Sequence, residues 1–357
     1  MNGITRVGLY SFRSYERAEF RFSSPRVLFL GPNGSGKSNL LEAIGFLSVL
    51  RSFRGARQRE LFRIGSDEFM IRGELVSELR GKEVLTVRES AGGNGGRRLF
   101  IGNAAVAKAS EFIREFRVVS FAPEDRAIAS GASGLRRRFF DMMISMLSPE
   151  YFHALARFQR ALAQRNRALK LRNAAVAATF EGELAAGAAE VIAARRKYAE
   201  KIESGVRSLL GGRGDFAVVP HFSFSEDAGE IRERLAESRD SELKRGCTAA
   251  GPQLDDFEFL FEGRSLRFCG STGQHRLISL LLKIAEFKLM RDAASTPVIV
   301  MADDVTGELD SGNREFFFHE ISRADQCFFA AAERSGDAFL KEAEVVAFGA
   351  SSAFAEA

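Results

Sequence analysis

Gly31, Pro32, Asn33, Gly34, Ser35, Gly36, Lys37 and Ser38 follow the order GxxxxGKS, between an apolar run ending at Leu30 and a segment with helical spacing. These residue types at this spacing suit the phosphates of a nucleoside triphosphate. Glycines let successive backbone N–H groups converge on phosphate oxygens, and the N-terminus of a following helix adds positive potential. Lys37 is expected to reach the β and γ phosphates, and Ser38 to ligate Mg2+. A second element, PVIVMADDVTGELD, brings two adjacent carboxylates to the end of a short apolar strand. Neighbouring side chains on a strand point opposite ways, so Asp303 and Asp304 must do different work. Asp303 is expected to hold Mg2+ through water, and Asp304 to orient or deprotonate the attacking water.

A third element is Gly270, Ser271, Thr272, Gly273 and Gln274, followed by the helical run HRLISLLLKIAEFKLM. It resembles the LSGGQ signature of ATP-binding-cassette proteins, in which a serine and a helix N-terminus contact the γ-phosphate held by the other protomer. The resemblance implies that Ser271, Gly273 and Gln274 serve the nucleotide of a second copy, and that Ser271 cannot serve the one bound at Lys37 of its own chain. ATP would then join two copies, and hydrolysis would release them. Glu308, Leu309 and Asp310, after Gly307, lie where such proteins keep the D-loop of the same interface.

The elements that must position these residues are legible from periodicity. Residues 5 to 30 alternate apolar and polar positions and end in Val27, Leu28, Phe29 and Leu30, which predicts strands leading into the glycine-rich loop. Leu40, Leu41, Ile44 and Leu47 then mark a buried helical stripe. Residues 70 to 101 predict hairpins, with AGGNGG, including Asn94, as a tight turn. From about residue 135 the chain turns rich in Ala, Leu, Arg and Glu with helical spacing, so 123–242 is expected to be a helical domain. Strand-like runs return in FEFLFEG, PVIVMADD, QCFFAAA and EVVAF. The expected fold is α/β: an ATP-binding-cassette (SMC-like) ATPase head, made of 1–122 and 243–357, with a helical arm domain inserted. The closing GASSAFAEA has the composition of a disordered tail.

Composition narrows the function classes. The chain has 357 residues, 45% hydrophobic and 27% charged, enough for two or three domains. Cys247, Cys269 and Cys327 lack CxxC or CxxH spacing, and the four histidines are too scattered for a zinc site, so any metal should take oxygen ligands. No long uncharged apolar run occurs, and the N-terminus carries charges, which points to a soluble cytoplasmic protein without a membrane partner. The net charge of +4 decides little alone. Between 151 and 172, however, Arg157, Arg160, Arg165, Arg167, Lys170 and Arg172 occur without any Asp or Glu, while Tyr151, Leu155, Phe158 and Leu162 form an apolar stripe. Such a helix could pack by one face and offer the other to DNA phosphates. Arg136, Arg137 and Arg138 form a second basic group. Neither helix-turn-helix nor zinc-finger spacing is present, so recognition by DNA shape or junction is expected.

Several stretches narrow the likeness to the RecF family of replication, recombination and repair proteins. SFRSYERAEFRF is similar to that family's opening strand pair and places Arg13 where it could approach the nucleotide. GPNGSGKSNLLEAIGFLS with RSFR, PEDRAIASGASGLRRRFFD, YFHALARFQRALAQRNRALK, GSTGQHRLISLLLKIAE and DDVTGELD extend the resemblance from about residue 4 to 335. It implies ATP and Mg2+ as cofactors, an ATP-dependent homodimer, and DNA as ligand, whether single-stranded, duplex or gapped. RecO and RecR are the implied partners in promoting RecA loading and the SOS response. A transporter subunit does not fit the long stretch between Lys37 and Ser271, and cohesin-like relatives need a long coiled coil. The chain departs from the family where Gln253 and Leu254 precede Asp255 and Asp256, at Gly307, and at Ala330, Ala331 and Ala332, which replace hydroxyl side chains. A weak ATPase used as a switch is the expectation. The rival is a cassette-type regulatory protein that binds a protein partner without DNA.

Overall fold

The computed structural model describes residues 1–91, 96–293, 295–305, 309–334 and 336–349. The AGGNGG turn around Asn94, the residues Gly307 and Glu308, and the tail from Ala350 lie outside the described residues. In chain order the strands are β1 (Gly3–Phe12), β2 (Tyr15–Arg21), β3 (Arg26–Leu30), β4 (Glu68–Ser77), β5 (Gly81–Ser90), β6 (Arg98–Ile101) and β7 (Ala104–Val106). Then come β8 (Arg117–Phe121), β9 (Phe216–His221), β10 (Asp256–Phe261), β11 (Arg264–Ser265), β12 (Val298–Asp303), β13 (Gln326–Ala331) and β14 (Glu344–Ala347). The longer helices are α1 (Lys37–Val49), α2 (Ser133–Leu147), α3 (Pro149–Lys170), α4 (Glu181–Leu210), α5 (Ala228–Arg245), α6 (Thr272–Asp292) and α7 (Ser311–Ile321).

The chain divides into two compact units, one of Met1–Asp125 with Glu286–Ala357, the other of Arg126–Ala285. In the first, a parallel sheet has the order β14-β3-β13-β12-β8 and an antiparallel sheet the order β2-β1-β4-β5-β6-β7. Helix α1 packs against strands of both sheets, so it is apolar nearly all round, with Leu40, Leu41, Ile44 and Leu47 fully buried. A buried glutamine ties the sheets together. Gln326, at the start of β13, accepts from Ile4 N at 2.7 Å and donates to Ile4 O at 2.9 Å.

The second unit is mainly helical. Ser148 caps α3 through Tyr151 N, with Pro149 in its first turn, and α4 ends at Gly211 in the left-handed region, φ 58°. The expected apolar stripe on α3 is present: Tyr151, Leu155 and Phe158 are buried. One strand stands inside the stretch read as helical. In β9 the β-branched Val218 and Val219 favour extended backbone, and β9 pairs with β10 from Phe216↔Phe261 to His221↔Asp256. This pairing ties residues 256–261 to the helices, and the unit runs on to Ala285, taking in residues 270–274.

Two buried ionic networks organise this unit. Arg165 is fully buried on α3 and donates to Glu242 at 2.6 Å, to Thr248 at 2.8 Å and to Glu181 at 3.0 Å. Arg195 on α4 donates to Asp141 at 3.0 Å and to Asp255 at 3.0 Å. Arg136 clamps Asp256 through two bonds of 2.8 and 2.9 Å, while Arg137 donates to the Asp255 carbonyl at 2.6 Å. The acidic pair after Gln253 and Leu254 is therefore a scaffold for three arginines.

Candidate functional site

The geometry of the first unit follows from its parallel sheet. Side by side, β3, β13 and β12 end at the same edge, where an α/β sheet offers a crevice to ligands. The glycine-rich loop leaves β3 and the paired carboxylates leave β12, with β13 between them. Two successive carbonyls at the end of β13 hold both: Ala331 O accepts from Gly31 N at 3.3 Å, and Ala330 O accepts from Asp304 N at 3.0 Å. The alanines that lack the expected hydroxyls thus serve through their backbone.

Two glycines in the loop are required by close approach. A β-carbon at Gly31 would stand 2.3 Å from Phe348 O, and one at Gly36 would stand 2.6 Å from the Tyr15 hydroxyl, with Gly36 at φ 105°. Tyr15 donates to Gly36 O at 3.0 Å and fixes the loop where it becomes α1. The N-cap of α1 is this glycine, without a side-chain cap and without an acidic residue in the first turn. The helix therefore presents uncapped N–H groups and the positive end of its dipole toward the loop.

Lys37 donates to Gly31 O at 2.6 Å and Pro32 O at 2.8 Å, so its ammonium is folded into the loop. Burial pulls its pKa down, against the charges of Asp304 and Asp303. Ser38 donates to Asp303 Oδ1 at 2.9 Å. Burial pushes the Asp303 carboxyl up, against the Ser38 hydrogen bond and the charge of Arg54, with Glu124 and Asp304 adding to the rise. Asp304 is exposed, one residue beyond β12, in the left-handed region at φ 56°. That conformation is costly for a residue with a β-carbon, and it turns Asp304 away from the direction of Asp303. The difference in surroundings expected from strand alternation thus comes with a break in the strand.

The residues fit Mg2+ and a triphosphate. One hydroxyl and one carboxylate meet beside an ammonium, and among the described residues no cluster of three or more His, Cys, Asp or Glu could hold a metal ion alone. That donor set suits a cation completing its shell with phosphate oxygens and water. Arg54 and Glu124, whose charges act on Asp303, were not singled out from the sequence. Arg54 lay in the stretch RSFR and Glu124 in PED, and nothing local marks either as facing β12.

Arg13, the residue the resemblance sets near the nucleotide, is held against α1. Its Nε and Nη2 hold Glu42 at 2.7 and 2.8 Å, and its Nη1 donates to Glu60 O at 2.7 Å. Glu42 is fully buried on α1, so Arg13, at φ 53°, ties the end of β1 to the helix that follows the loop. Arg165 requires a correction, since its burial removes it from any DNA-facing surface. The cause is its place on the apolar side of α3, among Glu181 and Glu242 contributed by distant sequence. Arg157 pairs with Glu190 at 2.7 Å, whereas Arg160, Arg167, Lys170 and Arg172 are exposed. Arg136 and Arg137, also read as a basic group, are likewise structural.

In the second unit, Ser271 is exposed at the N-terminus of α6, a helix of 21 residues. Ser271 Oγ accepts from Gln274 N at 3.2 Å, and Gln274 Oε1 accepts from Ser271 N at 2.8 Å. This reciprocal capping box explains the SxxQ spacing structurally and leaves Gly273 exposed beside it. Asp310 caps α7 by accepting from Asn313 N at 2.9 Å.

Residues 3–345 match the family described as RecF/RecN/SMC N terminal domain. The chain is 31% identical to the DNA replication and repair protein RecF of Bacillus pumilus, over 96% of this chain and 97% of that protein. It is 30% identical to RecF of Bacillus subtilis, over 93% and 94% respectively. A solved structure of the recombination mediator protein RecF-ATP in the RecFOR pathway superposes with a TM-score of 0.85 at 26% identity, covering 94% of this chain and 93% of that one. An SmcHead bound to the C-winged helix domain of ScpA shares the fold, with a TM-score of 0.51 at 15% identity. With the family match spanning almost the whole chain and the glycine-rich loop facing its paired carboxylates, the chain belongs to the RecF family of SMC-like ATPases.

Proposed function

We propose that the chain is an ATP-gated DNA-binding dimer of recombinational repair and replication-gap processing, whose weak ATPase resets it. The observation that carries this reading is the 2.9 Å contact of Ser38 with Asp303, beside Lys37 and followed by Asp304. Residues Gly31 to Ser38 would cradle the phosphates, Ser38 and Asp303 would hold Mg2+, and Asp304 would orient or deprotonate water. Bound Mg2+ would neutralise charge developing on the phosphates. Ala330 to Ala332 offer no hydroxyl at the loop, which supports slow turnover.

The exposed capping box at Ser271 supports a role for Ser271, Gly273 and Gln274 at the γ-phosphate of a second copy, with Asp310 at the same interface. Exposed Arg160, Arg167, Lys170 and Arg172 on and just after α3 support phosphate contacts by the arm. The solved relative is a recombination mediator in the RecFOR pathway, which supports action with RecO and RecR toward RecA loading here. Sedimentation of wild type and Ser271→Arg, with and without ATP and Mg2+, tests the switch. ATP should dimerise only the wild type; if wild type stays monomeric, the shared nucleotide is wrong.

A further inference from the structure

We propose that the outward face of the six-stranded sheet binds single-stranded DNA across β1, β4, β5 and β6. The inference rests on the DNA-binding reading for the class of ligand, and on the sheet alone for its place. Strand register builds three rows on this face. The first runs Arg17, Tyr10, Met70, Arg88, Arg98 from β2 to β6. The second runs Glu19, Gly8, Arg72, Thr86, Phe100, and the third Arg21, Arg6, Glu74, Val84.

The two halves of this face differ in charge. Around the third row the cations are neutralised: Arg6 pairs with Glu19 at 2.5 Å and Glu74 at 3.4 Å, Lys82 with Glu74 at 2.7 Å, and Arg21 with Glu19 at 3.2 Å. In the first two rows Arg17, Arg72, Arg88 and Arg98 are exposed, and among the described residues none has a carboxylate at ion-pair distance. Two half-exposed rings interleave with them. Arg17 lies 5.7 Å over Tyr10, and Arg88 lies 5.7 Å over Phe100. A solvated sheet face needs polar residues but not unpaired arginines beside aromatic rings.

The dimensions fit a flexible strand. Tyr10 and Phe100 are three strand spacings and one row apart, about 16 Å, a span over which a sheet can stack two or three bases. Between them a shallow cleft of about 270 Å³ is lined by Met70, Arg72, Arg88 and Phe100. Bases would stack on the rings while the arginines take phosphates, an arrangement without sequence preference.

Fluorescence anisotropy of labelled oligo-dT, oligo-rU and blunt duplex with the full chain tests this over a salt series. Tyr10→Ala and Phe100→Ala should each weaken oligo-dT binding about fivefold or more. Arg72→Ala with Arg88→Ala should flatten the logarithmic salt slope by about 1.4. Lys82→Ala on the neutralised half should leave binding within about twofold, and cross-links from bromodeoxyuridine-substituted oligo-dT should map to the peptides of Tyr10 or Phe100. If wild type binds no DNA of either form, the DNA-binding reading fails and this inference with it. If wild type binds oligo-dT and the four substitutions leave affinity and slope unchanged, only the sheet assignment falls. Loss confined to the duplex, or tighter binding to oligo-rU than to oligo-dT, overturns the assignment to single-stranded DNA.

Discussion

Asp303 and Asp304 are neighbours in sequence and unlike in surroundings. The first is half-buried against Ser38 with its carboxyl pushed up by burial, and the second is exposed on a left-handed backbone. A group that holds a cation and one that handles water should respond differently to the loss of charge. Asp304→Asn should leave ATP affinity within about threefold while lowering phosphate release about a hundredfold, since a positioned base contributes on that order. Asp303→Asn should weaken ATP binding in Mg2+ and leave the Mg2+-free affinity unchanged. Titration with a fluorescent ATP analogue, with and without Mg2+, reads the second; equal effects in both conditions would refute the assignment of Asp303 to the metal. The pairing itself could be read from GxxxxGKS and the Asp-Asp strand end, because both signals are local. The left-handed turn at Asp304 could not, since it depends on a hydrogen bond to Ala330 across the sheet.

At the scale of elements, one buried polar side chain bridges the two sheets of the first unit beside the packing of α1. Gln326 satisfies both backbone groups of Ile4, which lies beyond the Arg6↔Arg21 pair where β2 begins to flank β1. Gln326→Leu would conserve apolar packing yet leave a buried N–H and C=O unsatisfied. Each such loss costs about 1 to 3 kcal/mol, so chemical denaturation should show a destabilisation in that range or above. Gln326→Glu, which when ionised would bury a carboxylate against Ile4 O, should destabilise at least as much. A midpoint unchanged in Gln326→Leu would show that solvent reaches Ile4. The strand runs and the apolar stripe of α1 were legible because each follows from a period of two or 3.6 residues. The partnership of residues 322 positions apart was not.

At the scale of the whole molecule, the second unit holds charges that composition would have left in solvent. Arg165 neutralises two buried carboxylates, and breaking such a cluster from one side leaves an uncompensated charge. Arg165→Met should therefore destabilise by about 3 to 5 kcal/mol, whereas removal of exposed Arg160 should not move the melting midpoint. The same cluster gives a pH dependence. Burial alone would raise Glu181, but hydrogen bonds and charge from Arg239 and Arg165 hold its carboxyl below the usual range. A folded value below the unfolded one makes its stabilisation fully present above about pH 4.3, and lost as pH falls through the depressed value. Circular-dichroism melts should show a midpoint falling with acid across that window, less steeply in Arg239→Ala; parallel curves would exclude Glu181 as a source.

Residue types and spacing were enough to mark the loop, the strand that feeds it, the helix that follows, the paired carboxylates and the basic, acid-free stretch of α3. All of these are patterns within a few turns or strands, where residue type and spacing dictate backbone and charge. The tertiary structure alone decided that Arg13 grips Glu42, that Arg165 is a core residue, and that Ala330 and Ala331 anchor the site through carbonyls. It also decided that arginines from separate strands line up on one face of a sheet. Charge in a sequence carries no label of burial. Only the partners that folding brings within hydrogen-bond distance determine whether an arginine meets solvent or a buried carboxylate.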